Sequence, residues 1–94
     1  MSLTEHRKEV QKIDEEIIRL IDDRTRLAER IFVAKRSVGL EIEDPHQEKL
    51  VLERAVDLAT ELNLDAGTIK NIFELLIQMS LQRQHELLGE GNLP

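Results

Sequence analysis

The chain has 94 residues, with 13 lysines and arginines against 19 aspartates and glutamates, a formal net charge of -6 and no cysteine. That length suits one small domain, and without disulfides or thiolate-bound metal its stability must come from an idealised helical core or a partner subunit. The acidic balance argues against nucleic acid or an anionic membrane as the main target, and with only two aromatic side chains, Phe32 and Phe73, there is no platform for stacking bases. No apolar run approaches the roughly 18 residues of a membrane span and the N-terminus lacks a signal-peptide apolar core, so a cytoplasmic protein is expected.

The first predicted element covers about residues 4–37. Val10, Ile13, Ile17, Leu20, Leu27, Ile31 and Ala34 recur there at three- and four-residue steps, the pattern of an amphipathic helix with a coiled-coil-like seam. After Leu20 the next place in the series falls on Arg24 instead of an apolar residue. The helix is expected to stop near Ser37, because Gly39 can take a left-handed C-terminal conformation and the following Leu40-Glu41-Ile42-Glu43 has no helical face. Such a helix is about 50 Å long, whereas a globule of this chain length is only about 32 Å across. Part of its apolar stripe should therefore face another chain, which predicts a homodimer.

The second element, about 45–62, opens on Asp44-Pro45-His46-Gln47, an N-cap aspartate, a proline at the first helical position and a glutamine placed to complete a capping box. Its stripe is Val51, Leu52, Ala55, Leu58, Ala59 and Leu62. Asp65 is placed to cap a third helix over about 66–88, and Gly89 stops it, leaving 89–94 as a flexible tail. No internal repeat is present. The expected architecture is all-α, a single domain over 1–94 made of three helices with a long N-terminal one, paired as an intertwined helical-bundle homodimer.

All three helices break their apolar stripes with hydrogen-bonding residues. On the third, Ile69, Phe73 and Leu76 lead at the same spacing to Ser80 and Gln84, and on the second Glu48 stands one turn before Leu52. On the first, Arg24 and Lys35 are eleven residues apart, so they differ by only about 20° around the axis and about 16 Å along it. Two cations so placed can converge on one anionic ligand. Each residue also has an ordinary reading: Ser80 as a tolerated small residue, Gln84 as solvated, Glu48 as favourable helix-dipole chemistry, Lys35 as a side chain snorkelling at a rim, and Arg24 paired with Asp14, Asp22 or Asp23. Arg7 is seventeen residues from Arg24, about 25 Å along the helix, so it is either solvated or serves the site of a partner chain.

The set allows a narrow chemistry. Ser80 has no evident histidine base, since His85 points elsewhere on the helix, and His6, His46 and His85 form no metal-ligand pair at helical spacing. A glycine-rich phosphate loop is absent, so metal, nucleotide and covalent mechanisms are poorly supported. Arg, Lys, Gln, Ser and Glu can still bind a carboxylate-rich molecule in a fixed shape and stabilise charge that develops during a unimolecular rearrangement.

Five motifs along the chain then point to one family: I-D-x-x-I in the first helix, L-I-x-x-R-x-x-L-A around Arg24, A-K at Lys35, D-P-x-x-E from Asp44 to Glu48, and I-x-x-S-x-x-x-Q in the third helix. In these the chain resembles the all-helical chorismate mutases, small dimeric bundles that convert chorismate to prephenate by a Claisen rearrangement in phenylalanine and tyrosine biosynthesis. The resemblance implies an intramolecular isomerase with no cofactor and no metal. It implies that Arg24 and the Arg7 of a partner chain hold the substrate carboxylates, with Ser80 helping at one of them. Lys35 and Gln84 would donate to the ether oxygen, and Glu48 with the backbone near Asp44 would hold the ring hydroxyl. The family usually has an arginine immediately before this glutamate. Gln47 stands there instead, as a substrate-binding position or as a capping residue, and weaker substrate binding is expected. An isochorismate pyruvate lyase of the same fold and a non-catalytic helical dimerisation module are the alternatives; the full-length 38–43 link and the complete Asp44–Glu48 motif favour the mutase.

Overall fold

A computed structural model describes residues 1–89; the expected flexible tail therefore lies, apart from Gly89, outside the described residues. Three helices follow one another: α1 (Leu3–Ser37), α2 (Pro45–Glu61) and α3 (Ala66–Leu88). Each begins on a side-chain cap. Ser2 Oγ accepts from the Glu5 amide at 3.2 Å and the Glu5 carboxylate returns to the Ser2 amide at 3.5 Å, a capping box that starts α1 one residue before the expected Thr4. Asp44 Oδ1 accepts from the Gln47 amide at 3.1 Å, and Asp65 Oδ2 from the Thr68 amide at 3.1 Å. The expected return contact from Gln47 is not made. Glu48 Oε2, one residue further on, reaches the Asp44 amide instead, at 3.3 Å.

The helices end on left-handed residues. Gly39 at φ 73° lets the Leu40 amide turn back to the Lys35 carbonyl at 2.9 Å, and Asn63 at φ 56° does the same for Leu64 and Ala59, also at 2.9 Å. Both satisfy a carbonyl of the last turn that has no partner within the helix. The link 38–44 is thereby folded back toward the body of the chain, and the side chain of Ile42 is buried within it.

The central element is α3, which packs against both α1 and α2, whereas α1 and α2 do not meet. The apolar side chains buried among these described residues are few: Ala28, Ile42, Ala55 and Ala59. Small residues at the contacts let the helices approach closely, but they bury little area. The larger apolar residues of α1, including Val10, Ile13, Ile17 and Leu20, are about half exposed or more. Every residue from 1 to 20 is exposed, so α3 covers only the C-terminal half of α1. The molecule measures 54 × 30 × 22 Å with a radius of gyration of 16.6 Å, well above the roughly 12 Å of a compact chain of this length. Leu58 and Leu62, expected on the buried stripe of α2, are likewise exposed, although Ala59 between them is buried, so only one side of the end of that helix is covered.

Candidate active site

Because α1 and α2 are held apart by α3, a cleft opens between them with α3 as its floor. Its volume is about 270 Å³, near the lower end of the roughly 300–1,000 Å³ usual for small-molecule sites. Leu27, Ile31, Val51, Ile77 and Leu81 give it apolar walls. Arg24, Lys35, Asp44, Gln47, Glu48, Ser80 and Gln84 supply its polar groups. The helical pitch puts Arg24 and Lys35 of α1 on the same side, and the one-turn spacing of Ser80 and Gln84 does the same on α3.

Arg24 is half-buried, and burial lowers its pKa from the ordinary value. Its Nη1 donates to the Leu76 carbonyl at 2.9 Å and to Ser80 Oγ at 2.5 Å, which offsets the desolvation of the guanidinium. The aspartate pairing weighed for Arg24 is absent among the described residues; Asp22 pairs with Arg26 at 3.2 Å. With one terminal nitrogen fixed on α3, the remaining N–H groups of the planar fork are available to a ligand.

Lys35 is held in the same manner. Its Nζ donates to the Ile42 carbonyl and, at 3.3 Å, to Gln84 Oε1. An ammonium carries three N–H donors, so one is left for a ligand. Gln84 is only 3% exposed, the single buried polar side chain among the described residues. With its oxygen turned to Lys35, the donating end of its amide is the amino group. On the far side Glu48 lines the cleft while holding the Asp44 amide, and Gln47 lies exposed beside it.

Arg7 is not brought to this cleft; it is exposed on the uncovered half of α1. Two parts of the site lay outside the side-chain pattern: the carbonyls of Leu76 and Ile42, which anchor the two cations. Ile42 had one signal, an apolar residue between two glutamates in a link with no helical face. Charge is balanced within the cleft, since the formal charges of Arg24 and Lys35 are matched by those of Asp44 and Glu48. The arrangement presents fixed donors from three directions around an apolar space, with no nucleophile beside a base.

Comparison with known proteins yields one family. Residues 6–85 match the family described as chorismate mutase type II. A chorismate mutase of Methanocaldococcus jannaschii is 35% identical over 88 residues, covering 94% of this chain and 89% of that protein. Bifunctional chorismate mutase/prephenate dehydratases of Buchnera aphidicola (subsp. Schizaphis graminum) and Escherichia coli K12 are each 32% identical, over 94% and 89% of this chain. The chain spans only 23% and 22% of those two longer proteins.

Proposed function

The chain belongs to the chorismate mutase type II family, and we propose that it converts chorismate to prephenate in the cleft between α1 and α2, completed by a second copy of the chain. The observation that carries this reading is the joint tethering of Arg24 and Lys35. Each is fixed on protein acceptors and keeps N–H groups free toward one apolar space.

The reaction breaks the ether C–O bond of chorismate as a C–C bond forms across the ring, with no proton transferred and no atom gained or lost. Negative charge grows on the ether oxygen in the transition state. The free N–H of Lys35 and the amino group of Gln84 donate to that oxygen, and because both are already held in place they need no reorganisation as the charge develops. Arg24 grips one carboxylate, with Ser80 fixing the guanidinium and assisting there. Glu48 and the Asp44 backbone hold the ring hydroxyl. Clamping both ends of the flexible enolpyruvyl ether selects the folded conformer in which the bond-forming carbons are close.

The second carboxylate falls to the partner's Arg7. A dianion gains little from a cleft whose own formal charges cancel, and Arg7 is one of four cations, with Lys8, Lys12 and Arg19, on the half of α1 that the described chain leaves uncovered; the family resemblance singles it out among them. Two-fold pairing of the exposed Val10, Ile13, Ile17 and Leu20 stripes in antiparallel fashion buries them and carries each Arg7 toward the other chain's Arg24. No described helix is long and apolar enough to cross a membrane, and a biosynthetic isomerase of this kind fits the cytoplasm.

The test is direct. Incubated with chorismate, the protein should abolish its ultraviolet absorbance and yield prephenate. Pyruvate as product would assign the lyase reaction instead, and intact chorismate would leave a non-catalytic helical module.

A further inference from the structure

Three pairs of neighbouring residues straddle one wall of the cleft. Lys35, Ile42 and Gln84 line its inside, and Arg36, Glu43 and His85, each one residue later, line a second hollow of about 250 Å³, which Ile42 also borders. Across that hollow Nε2 of the His85 imidazole and the Glu43 carboxylate lie within hydrogen-bond distance, 42 residues apart in sequence. The Ile42 carbonyl that accepts from Lys35 belongs to the same planar peptide unit as the Glu43 amide, so a constraint on Glu43 acts on that carbonyl. Gln84, the other acceptor for Lys35, immediately precedes His85. The outer pair thus ties the residue after one acceptor to the residue after the other.

We propose that His85 and Glu43 are positioning residues, whose bond closes the link 38–44 onto α3 and sets the Ile42 carbonyl and the Gln84 amide at the spacing that aims Lys35 into the cleft. The proposal rests on the mutase reading of that cleft. Other anchors of the link lie to either side of this peptide: the Leu40 amide on the Lys35 carbonyl before it and the Asp44 cap after it. The side chains of His85 and Glu43 are 29% and 53% exposed, and ion pairs so open to solvent add little to global stability. Their effect is therefore local. Arg36 on α1 and Glu41 in the link line the same hollow, Lys35 acts electrostatically on Glu43, and Glu86 follows His85 on α3. The His85 hydrogen bond holds the Glu43 carboxyl below its usual range. A neutral imidazole protonated at Nε2 still donates, so the tie survives loss of the histidine charge.

The experiment compares kcat, KM and melting temperature of the full chain with chorismate. His85→Ala and Glu43→Ala should each lower kcat about tenfold, a fraction of the roughly 100-fold that an ångström of misplacement can cost, with KM and melting temperature unchanged. The double variant should be no worse than either single one, and His85→Gln, which keeps an N–H donor, should restore most of the rate. In a Lys35→Gln background, removing His85 should change nothing further. An unchanged kcat, strictly multiplying effects, a fall that persists without Lys35, or one explained by a lower melting temperature overturns the proposal. Wild-type protein that leaves chorismate intact overturns the mutase reading itself, and this proposal with it.

Discussion

The Lys35 ammonium and the Gln84 side-chain oxygen lie 3.3 Å apart, a contact made by residues 49 positions distant that sets the orientation of both. Lys35 points its remaining N–H into the cleft, and Gln84 is left with its amino group as donor. Lys35→Ala and Gln84→Ala should each lower kcat by about 100- to 1,000-fold, the usual cost of removing a donor to developing charge, with a smaller effect on KM. Steady-state kinetics on chorismate measures both.

Sharing of sites between chains is open to a mixing test. Arg7→Ala and Arg24→Ala homodimers should both be nearly inactive, but chains of the two kinds, unfolded together and refolded, should regain about one intact site in each mixed dimer. Activity no greater than that of either parent would remove Arg7 from the partner's cleft.

Gln47 lies exposed at the edge of the cleft, where an added cation would find solvent on one side and substrate on the other. Gln47→Arg should lower KM about fivefold, equivalent to about 1 kcal/mol for a part-exposed ion pair, and leave kcat nearly unchanged. The gain should shrink at high salt.

The proposed reacting centre contains no group that ordinarily ionises near neutrality, so kcat should be nearly flat from about pH 5.5 to 8.5. Gln84→Glu supplies the contrast. A carboxylate at that buried position donates to the ether oxygen only when protonated, so the variant should gain activity as pH falls and lose it as pH rises. A bell-shaped profile for the wild type with a limb near pH 7 would contradict the assignment.

Stability should have its own acid limb. Thr68 donates to Asp65 from its hydroxyl and its amide, and these bonds hold the Asp65 carboxyl below its ordinary range. The native state then binds this proton less tightly than the unfolded chain. Its contribution is complete above the unfolded carboxylate value of about 3.9 and disappears as pH falls through the lower native value. Asp65→Asn, which keeps the capping oxygen but cannot titrate, should lose less melting temperature between pH 7 and pH 3 than the wild type.

Helix order and much of the cleft lining could be read from the chain because both follow local rules. Apolar periodicity marked the helices, and the polar side chains set into the stripes, Arg24, Ser80, Gln84 and Glu48, line the cleft between α1 and α2. Backbone acceptors escaped that logic. The carbonyls of Ile42 and Leu76 carry no side-chain signature, and their roles depend on how the link and α3 are laid against α1. The return contact to the Asp44 amide comes from Glu48, not from Gln47 at the capping-box position, which the capping pattern does not distinguish. The His85–Glu43 pair joins a link to a distant helix, and no spacing rule connects such positions.

Among the described residues the first half of α1 makes no interior, and the buried apolar residues of the rest are mostly alanines. On the proposed pairing, the long helix finds its interior only by mass action. Dilution should then act as a denaturant: both the melting midpoint and the specific activity should fall as the protein is diluted toward its dissociation constant, with the midpoint tracking the logarithm of concentration.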